Sequence, residues 1–281
     1  MTVLKNILML FAFLGQFSAL SAKVKVEKNI NYTDANDTYR QLDVFYQKDI
    51  TQAKDVIVFI HGGSWSSGKK DTYWWLGRNL ARKGVVTVNI NYGLTPENKF
   101  ERMAQDCAQA VKWVKDHVSK FGGNPGRIFL MGHSAGGHLA ELINDDPVYF
   151  KQAGLVNPVK GVILNDAFGL DMKEYMTSAE KDNSYYDFLR SFSADPAIWE
   201  KGSPLHYVAN SKNPHLIFYG AKTYPAIQLQ SERLNKLLEI AHVPTELHVI
   251  PKKKHVGMIS QMVFGSNKLY DLILNFLKRI E

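Results

Sequence analysis

Short apolar runs alternate along the chain with longer segments in which apolar residues recur every three to four positions. The short runs are typical of strands covered on both faces, and the longer segments of amphipathic helices. The pattern predicts strands at Val24–Ile30, Gln41–Tyr46, Asp55–Ile60, Val85–Asn91, Arg127–Met131, Val159–Asn165, His215–Tyr219 and Glu246–Ile250. It predicts helices at Tyr73–Lys83, Lys99–Phe121, Ala135–Asn144, Ile227–Ala241 and Asn267–Lys278. This alternation favours an α/β fold with a mostly parallel sheet.

The first 22 residues have the three-part pattern of a secretory signal. Lys5 supplies the positive charge, an apolar run follows to Leu14, and small residues precede Ala22. The run is shorter than the roughly 20 residues that span a bilayer. We therefore expect cleavage after Ala22, no stable membrane insertion afterwards, and a single domain over residues 23–281. An uncleaved anchoring segment is the alternative.

Cysteine usage and charge narrow the function classes. Cys107 is the only cysteine, so the chain forms no internal disulfide, and export without disulfides favours a secreted or periplasmic bacterial protein. The formal net charge is +7, but the only dense basic run is Lys252–Lys254. Since the chain has no zinc-finger spacing, ribonucleoprotein motif or basic helix, we expect no nucleic-acid partner.

Residues 171–201, between the sixth and seventh predicted strands, are rich in Tyr, Phe, Ser and charged side chains. In a parallel α/β sheet such an insertion lies over the carboxyl ends of the strands, where ligands bind. A small substrate-binding cap and an ordinary surface excursion are both compatible with this composition.

The strongest chemical signal is the G-x-S-x-G motif at Gly132–Gly136, which has Ser134 at its centre. A predicted strand runs directly into it and a predicted helix begins directly after it. Such a sharp turn needs small neighbours, and it lifts the serine hydroxyl to a helix N-terminus. We therefore predict that Ser134 is a catalytic nucleophile.

A second glycine motif, His61-Gly62-Gly63-Ser64-Trp65, follows the third predicted strand. Glycines let backbone N–H groups approach a developing oxyanion, and losing one such donor typically costs about 3 kcal/mol of transition-state stabilisation. The predicted donors are the N–H groups of Gly62, Gly63 and Ala135.

These two motifs, together with Phe121–Ile128 and Gly137-His138, resemble the α/β-hydrolase superfamily. The similarity is closest to its carboxylesterase branch, near hormone-sensitive-lipase-type esterases, kynurenine formamidases and acetylxylan/feruloyl esterases. It implies an eight-stranded α/β-hydrolase fold. It also implies hydrolysis of a carboxylic ester through an acyl-enzyme, without a cofactor or a metal.

The resemblance also implies where the other catalytic residues lie. The family carries its general base in the loop after the last strand, which here contains His255. Most relatives have their acid in a Gly-x-x-Asp turn after the seventh strand, but this turn reads Gly220-Ala221-Lys222-Thr223. Threonine cannot carry the negative charge. Some lipases place the acid after the sixth strand instead, so Asp166 is the first candidate and Asp171 the second. Turn or cap chemistry would equally account for either aspartate.

The expected substrate is a small-molecule or carbohydrate ester with a short-chain or carbohydrate-linked acyl group. An arylformamidase-like amide hydrolase is one alternative. For a carbohydrate deacetylase, stacking faces would come from the aromatic residues Trp74, Trp75, Tyr185 and Tyr186. Because Thr223 occupies the usual acid position, a catalytically silent binding protein is a further alternative. The lysines beside His255 suggest a preference for acidic substrates.

Overall fold

The computed structural model describes residues 23–34, 37–48 and 52–280. The predicted signal segment, residues 1–22, lies outside the described residues.

The eight predicted strands are all present and form one sheet. They are β1 (Val24–Asn31), β2 (Gln41–Gln47), β3 (Lys54–Ile60), β4 (Val86–Ile90), β5 (Gly123–His133), β6 (Val159–Asn165), β7 (His215–Gly220) and β8 (Thr245–Ile250). Their order across the sheet is β1-β2-β4-β3-β5-β6-β7-β8. Only β2 pairs antiparallel with its neighbours, and the other pairs are parallel. The predicted mostly parallel sheet is confirmed.

The described residues form ten α-helices, five of which were predicted. They are α1 (Trp74–Arg82), α2 (Phe100–His117), α3 (Ala135–Asp145), α4 (Pro147–Gln152), α5 (Met172–Ser178), α6 (Asn183–Phe192), α7 (Pro196–Lys201), α8 (Pro225–Ile240), α9 (His255–Ser260) and α10 (Lys268–Arg279). The prediction missed α4–α7 and α9, which span only six to ten residues and so offer at most three turns in which a periodic pattern can repeat. Among the described residues, none of the helices has both the length and the apolar character needed to cross a bilayer.

Two apolar layers cover the two faces of the sheet, and the strands supply alternate residues to each. In β3, Val56, Val58 and Ile60 belong to one layer, while Ile57 and Phe59 belong to the other. The first layer contains apolar residues of α2, α3 and the 171–201 segment, and the second contains those of α1, α9 and α10. This period of two is what a strand buried on both faces requires.

The 171–201 segment folds into three short helices, α5, α6 and α7. Each begins at an aspartate whose side chain accepts a backbone N–H of the first turn: Asp171, Asp182 and Asp195. Pro196 follows Asp195 at the first helical position, which suits its missing N–H. These caps were visible in the sequence, although the apolar periodicity did not reveal the helices. We call residues 171–201 the cap segment.

Candidate active site

Ser134 occupies the sharp turn between β5 and α3. Its backbone has φ 55° and ψ −125°, a conformation that costs a non-glycine residue of order 1–3 kcal/mol. The flanking glycines make the turn possible. A Cβ atom at Gly132 would lie 2.2 Å from the Gly136 carbonyl oxygen, and one at Gly136 would lie 2.1 Å from the Ile60 carbonyl oxygen. The G-x-S-x-G spacing is therefore dictated by backbone contacts on both sides of Ser134.

His255 lies between Ser134 and Asp166, with hydrogen bonds to both. The Ser134 hydroxyl donates to Nε2 of His255 at 2.9 Å. Nδ1–H of His255 donates to Oδ2 of Asp166 at 2.6 Å, since an ionised carboxylate can only accept. The expected loop after β8 is shorter than predicted, because His255 is already the first residue of α9. Side chains distant in the sequence thus form one hydrogen-bonded chain.

Asp166 follows the last residue of β6 and is fully buried. Its φ of 54° is also unusual for a non-glycine residue. Besides His255, it accepts the Gly220 N–H through Oδ1 at 2.8 Å. Asp171, the second predicted acid, is not brought to His255. It caps α5 through the Glu174 N–H and lies 3.5 Å from Arg233. Of the two candidates, only Asp166 has the geometry of an acid partner.

Thr223 also contacts Asp166, which the sequence did not predict. Its hydroxyl donates to Oδ2 at 2.5 Å, the same oxygen that accepts from His255. The usual acid position is therefore filled by a hydrogen-bond donor to the displaced acid. The sequence signal was a hydroxyl residue in that turn, combined with an aspartate after the sixth strand.

The loop after β3 turns back beside Ser134. Gly63, Ser64 and Trp65 all have positive φ, at 132°, 51° and 58°. A Cβ atom at Gly63 would lie 2.1 Å from the Ser67 carbonyl oxygen, so only glycine fits there. Ser64, which was not among the predicted residues, lines the same cavity as Ser134.

Gly62 lies directly against the nucleophile turn. A Cβ atom there would lie 2.8 Å from the His133 carbonyl oxygen and 3.1 Å from Cβ of Ser134. Burial raises the pKa of Tyr73, and a hydrogen bond with the Gly62 backbone opposes that shift. The Tyr73 hydroxyl therefore lies near this backbone. Of the three backbone N–H groups predicted to bind the oxyanion, that of Gly62 therefore has a competing polar group, the Tyr73 hydroxyl, close by.

Trp65 connects this loop to the cap segment. Its indole N–H donates to Nδ1 of His138 at 3.2 Å, and Nε2–H of His138 donates to the Gly202 carbonyl at 2.7 Å. The Trp65 ring also packs edge-on against Phe188 and Phe192 of α6, at centroid distances of 5.4 and 4.8 Å. Burial lowers the pKa of His138 to about 4. The histidine is therefore neutral at pH 7, as this acceptor–donor arrangement requires.

Two other buried histidines flank the site. Burial, reinforced by the neighbouring His255, lowers the pKa of His133 to about 3, and its ring stacks on His255 at 5.0 Å. Burial lowers the pKa of His61 to about 4. Both rings are neutral at pH 7, so neither places a positive charge beside the imidazole of His255.

A cavity of about 820 Å³ opens over Ser134 and His255. The cap segment and α8 supply much of its wall. The aromatic side chains in this wall are Phe168, Tyr175, Phe188 and Tyr224, and the polar ones include Glu174, Ser178, Asp182, Ser184 and Gln230. Residues of the cap segment therefore lie beside Ser134 and His255, where they form part of the cavity wall.

The aromatic residues expected to stack on a sugar are different from those that line this cavity. Trp74, Trp75, Tyr185 and Tyr186 are absent from its wall. The two tryptophans begin α1, which packs in the layer on the other face of the sheet, while Tyr185 is buried in the core. These four residues therefore do not supply stacking faces in this cavity, because the side of a helix that faces the site depends on tertiary packing.

One group of potential metal ligands lies elsewhere in the described residues, formed by Glu141, Asp145 and His215. His215 begins β7, whereas the candidate site lies at the other end of that strand. Its Nε2 lies 3.0 and 3.1 Å from the two Glu141 oxygens. Burial and the nearby Glu141 raise the pKa of Asp145 well above its ordinary range. Hydrogen bonding within a buried cluster accounts for these contacts.

Comparison with known proteins gives a family and several relatives. The BD-FAE family model matches residues 42–238. Isoprenylcysteine alpha-carbonyl methylesterase ICME of Arabidopsis thaliana is 26% identical over 271 residues, covering 89% of this chain and 62% of the relative. Esterase LipC of Mycobacterium tuberculosis is 31% identical over 206 residues, covering 66% of this chain and 49% of the relative. The chain thus spans about half to three fifths of the length of these curated relatives.

Solved structures establish the fold. Esterase B from Lactobacillus rhamnosis superimposes with a TM-score of 0.78 at 21% identity, covering 91% of this chain and 87% of the other. A truncated carbohydrate esterase from gut microbiota gives a TM-score of 0.79 at 19% identity, covering 92% and 96%. The predicted α/β-hydrolase fold is confirmed.

Proposed function

The chain belongs to the BD-FAE family, within the carboxylesterase branch of the α/β-hydrolases, and from that premise we propose that it is a serine carboxylesterase. One observation carries the proposal. Hydrogen bonds of 2.9 and 2.6 Å link the Ser134 hydroxyl through His255 to the buried carboxylate of Asp166. A nucleophile, a base and a group that orients the base are the parts that acyl transfer requires.

In the acylation step, Nε2 of His255 takes the Ser134 proton while Oγ attacks the acyl carbonyl carbon. Asp166 fixes the imidazole tautomer and stabilises the imidazolium that forms. For the oxyanion we propose the N–H groups of Gly63, Ser64 and Ala135. Ser64 here replaces the predicted donor Gly62, because Ser64 lines the cavity beside Ser134 whereas Tyr73 lies near the Gly62 backbone. Collapse of the tetrahedral intermediate breaks the ester C–O bond, and His255 gives its proton to the leaving alkoxide.

Deacylation repeats these steps with water as the nucleophile. His255 takes a proton from the water, the hydroxide attacks the acyl-enzyme, and the same N–H groups hold the second oxyanion. The Ser134 oxygen leaves and regains the proton from His255. The products are an acid and an alcohol, and no cofactor takes part in either half of the cycle.

The geometry favours this function over a silent binding protein. Both Ser134 and Asp166 have positive φ, and Asp166 is a fully buried carboxylate. Strained backbone and a buried charge each cost stability, and a surface used only for binding has no need of either. Thr223, the reason for the silent alternative, contacts an intact acid.

For the substrate, we propose a short acyl group esterified to a carbohydrate or a small alcohol. The aromatic faces of Tyr175 and Tyr224, with carboxylates and hydroxyls beside them, can stack on a sugar ring and accept hydrogen bonds from it. The fold neighbour described as a carbohydrate esterase supports the same class. An amide substrate is less favoured, because the relatives and fold neighbours reported above are named as esterases.

Hydrolysis of p-nitrophenyl acetate and butyrate tests the reaction. Ser134→Ala should abolish turnover and labelling by a fluorophosphonate probe, whereas Ser119→Ala, at an exposed serine, should change neither. Equal labelling of wild type and Ser134→Ala would refute the assignment. Release of acetate from acetylated xylo-oligosaccharides, compared with deformylation of an aryl formamide, then distinguishes the two substrate classes.

We also propose that the chain is exported, on the basis of the charge, apolar run and small residues in its first 22 positions. Expression in a Gram-negative host, fractionation and N-terminal sequencing test this. A periplasmic protein that begins at Lys23 supports export with cleavage. Full-length chain confined to the cytoplasm would contradict it.

A further inference from the structure

We infer that Thr223 is a positioning residue, whose hydroxyl holds the Asp166 carboxylate in the orientation that His255 needs. This inference rests on the proposed serine-hydrolase function. It concerns a position where the sequence alone suggested only the loss of an acid. The contact that carries it joins Thr223 Oγ1 to Oδ2 of Asp166 at 2.5 Å.

Asp166 has a donor on each side. Oδ1 accepts the Gly220 N–H at 2.8 Å, while Oδ2 accepts both the Thr223 hydroxyl and Nδ1–H of His255. The turn that presents these donors is closed by the Thr223 N–H, which donates to the Gly220 carbonyl at 3.0 Å. One turn after β7 therefore fixes both oxygens of a carboxylate that extends from β6.

The direction of the hydroxyl bond follows from the chemistry of the acid. An ionised carboxylate has no proton to donate, so Thr223 must be the donor. Asp166 is fully buried and Thr223 is 7% exposed, so water has little room to replace a missing hydroxyl. Without that donor only the Gly220 N–H and His255 itself restrain the carboxylate, so its orientation towards Nδ1 is less closely fixed.

The hydroxyl also withdraws charge from the oxygen that faces His255. When it is removed, the carboxylate attracts the protonated imidazole more strongly. The acidic limb of the pH profile of kcat/KM should then move to higher pH. The other groups that face the His255 ring are His133 at 5.0 Å, which is neutral, Tyr224 at 5.3 Å, and the Ser134 hydroxyl. Lys253 and Lys254 precede it in the chain. None of these changes in the variants below.

Two substitutions separate hydrogen bonding from packing. Thr223→Val keeps the branched shape and removes the hydroxyl, whereas Thr223→Ser keeps the hydroxyl and removes the methyl group. With p-nitrophenyl butyrate as substrate, we expect Thr223→Val to lower kcat about tenfold or more, with KM within about twofold. Its acidic limb should move upward. Thr223→Ser should keep kcat within about threefold and leave the limb in place.

Wild type, Ser134→Ala and both threonine variants are measured together, with melting temperatures as the folding control. Loss of turnover in Ser134→Ala, with the pattern above, supports the inference. If Ser134→Ala abolishes turnover but Thr223→Val matches wild type in kcat and pH profile, only the inference fails. Equal losses in Val and Ser variants with unmoved limbs would also overturn it, leaving a packing role. Unchanged turnover in Ser134→Ala would refute the proposed function itself. Should Thr223→Val not fold, Thr223→Ala takes its place with the same criteria.

Discussion

Acid should destabilise this protein steeply, because the buried histidines near the candidate site cannot take up protons while the chain is folded. The pKa values of His61, His133 and His138 are lowered to about 4, 3 and 4. In the unfolded chain each returns to about 6.5. Since the folded pKa lies below the unfolded one, stability is fully present above pH 6.5 and is lost as the pH falls towards 4.

The magnitude follows from those values. At pH 5, each histidine should cost about 2 kcal/mol of folding free energy relative to pH 8, as an order of magnitude. Together the three approach the whole stability of an ordinary domain, about 5–15 kcal/mol. Asp145 acts in the opposite direction. Its raised pKa makes the folded state bind a proton first, so its contribution stabilises the fold as the pH falls. A single histidine is therefore best isolated by comparing a variant with wild type.

His138→Gln is the informative perturbation. The glutamine amide can accept the Trp65 N–H and donate to the Gly202 carbonyl, but it does not titrate. Urea unfolding at pH 7.5 and pH 5, followed by tryptophan fluorescence, measures the free energy of unfolding. Between those conditions, His138→Gln should lose about 2 kcal/mol less than wild type. The exposed His242→Gln serves as the control and should behave like wild type. The same pH dependence in His138→Gln and wild type would refute this account of the histidine.

Four further predictions concern catalysis, the fold and the charge of the substrate. Asp166→Asn should lower kcat on p-nitrophenyl butyrate by about 10⁴-fold, because the negative charge and the correct tautomer of the His255 imidazole are both lost. A kcat within tenfold of wild type would exclude Asp166 as the acid. Adding Thr223→Asp to that variant should raise its kcat about 100-fold or more, because the side chain of residue 223 lies next to the Asp166 oxygen that faces His255. No increase would mean that residue 223 cannot present a carboxylate to His255. Gly136→Ala should not yield soluble folded protein, since its Cβ would lie 2.1 Å from a carbonyl oxygen of β3, and a normal melting curve would contradict the contact. Among the described residues, Lys252 and Lys254 are exposed and form no ion pair. Replacing both with Gln should lower kcat/KM at low salt more for a p-nitrophenyl hemisuccinate than for the neutral butyrate. Equal effects on the two esters would contradict a preference for acidic substrates.

The cap segment shows which sequence signals were missed. Its three helices span only six to ten residues, yet Asp171, Asp182 and Asp195 each cap one of them. At Asp171 the cap was one of the two interpretations that the sequence left open, and it is the correct one. What periodicity could not supply was the direction in which each short helix faces. The direction in which each helix faces is the reason that Tyr175 lines the cavity while Tyr185 lies in the core.

Local sequence determined the eight strands, the long helices, the glycine turns and the position of Ser134. These features depend mainly on residues close in the chain, such as the approach of Gly132 to the Gly136 carbonyl oxygen that forbids a side chain at Gly132. His255 could be placed through family resemblance, since its position after the last strand is a matter of chain order.

Only the tertiary structure shows which of the two aspartates contacts His255, and that Thr223 donates a hydrogen bond to it. Asp166 is 89 residues from His255 and 57 residues from Thr223, and they meet because parallel β6, β7 and β8 end at the same edge of the sheet. Contacts across that edge depend on register and on where each turn directs its side chains. The sequence pattern of one chain does not predict such contacts, because each residue is compatible with its own turn or strand whether or not the other residue is nearby.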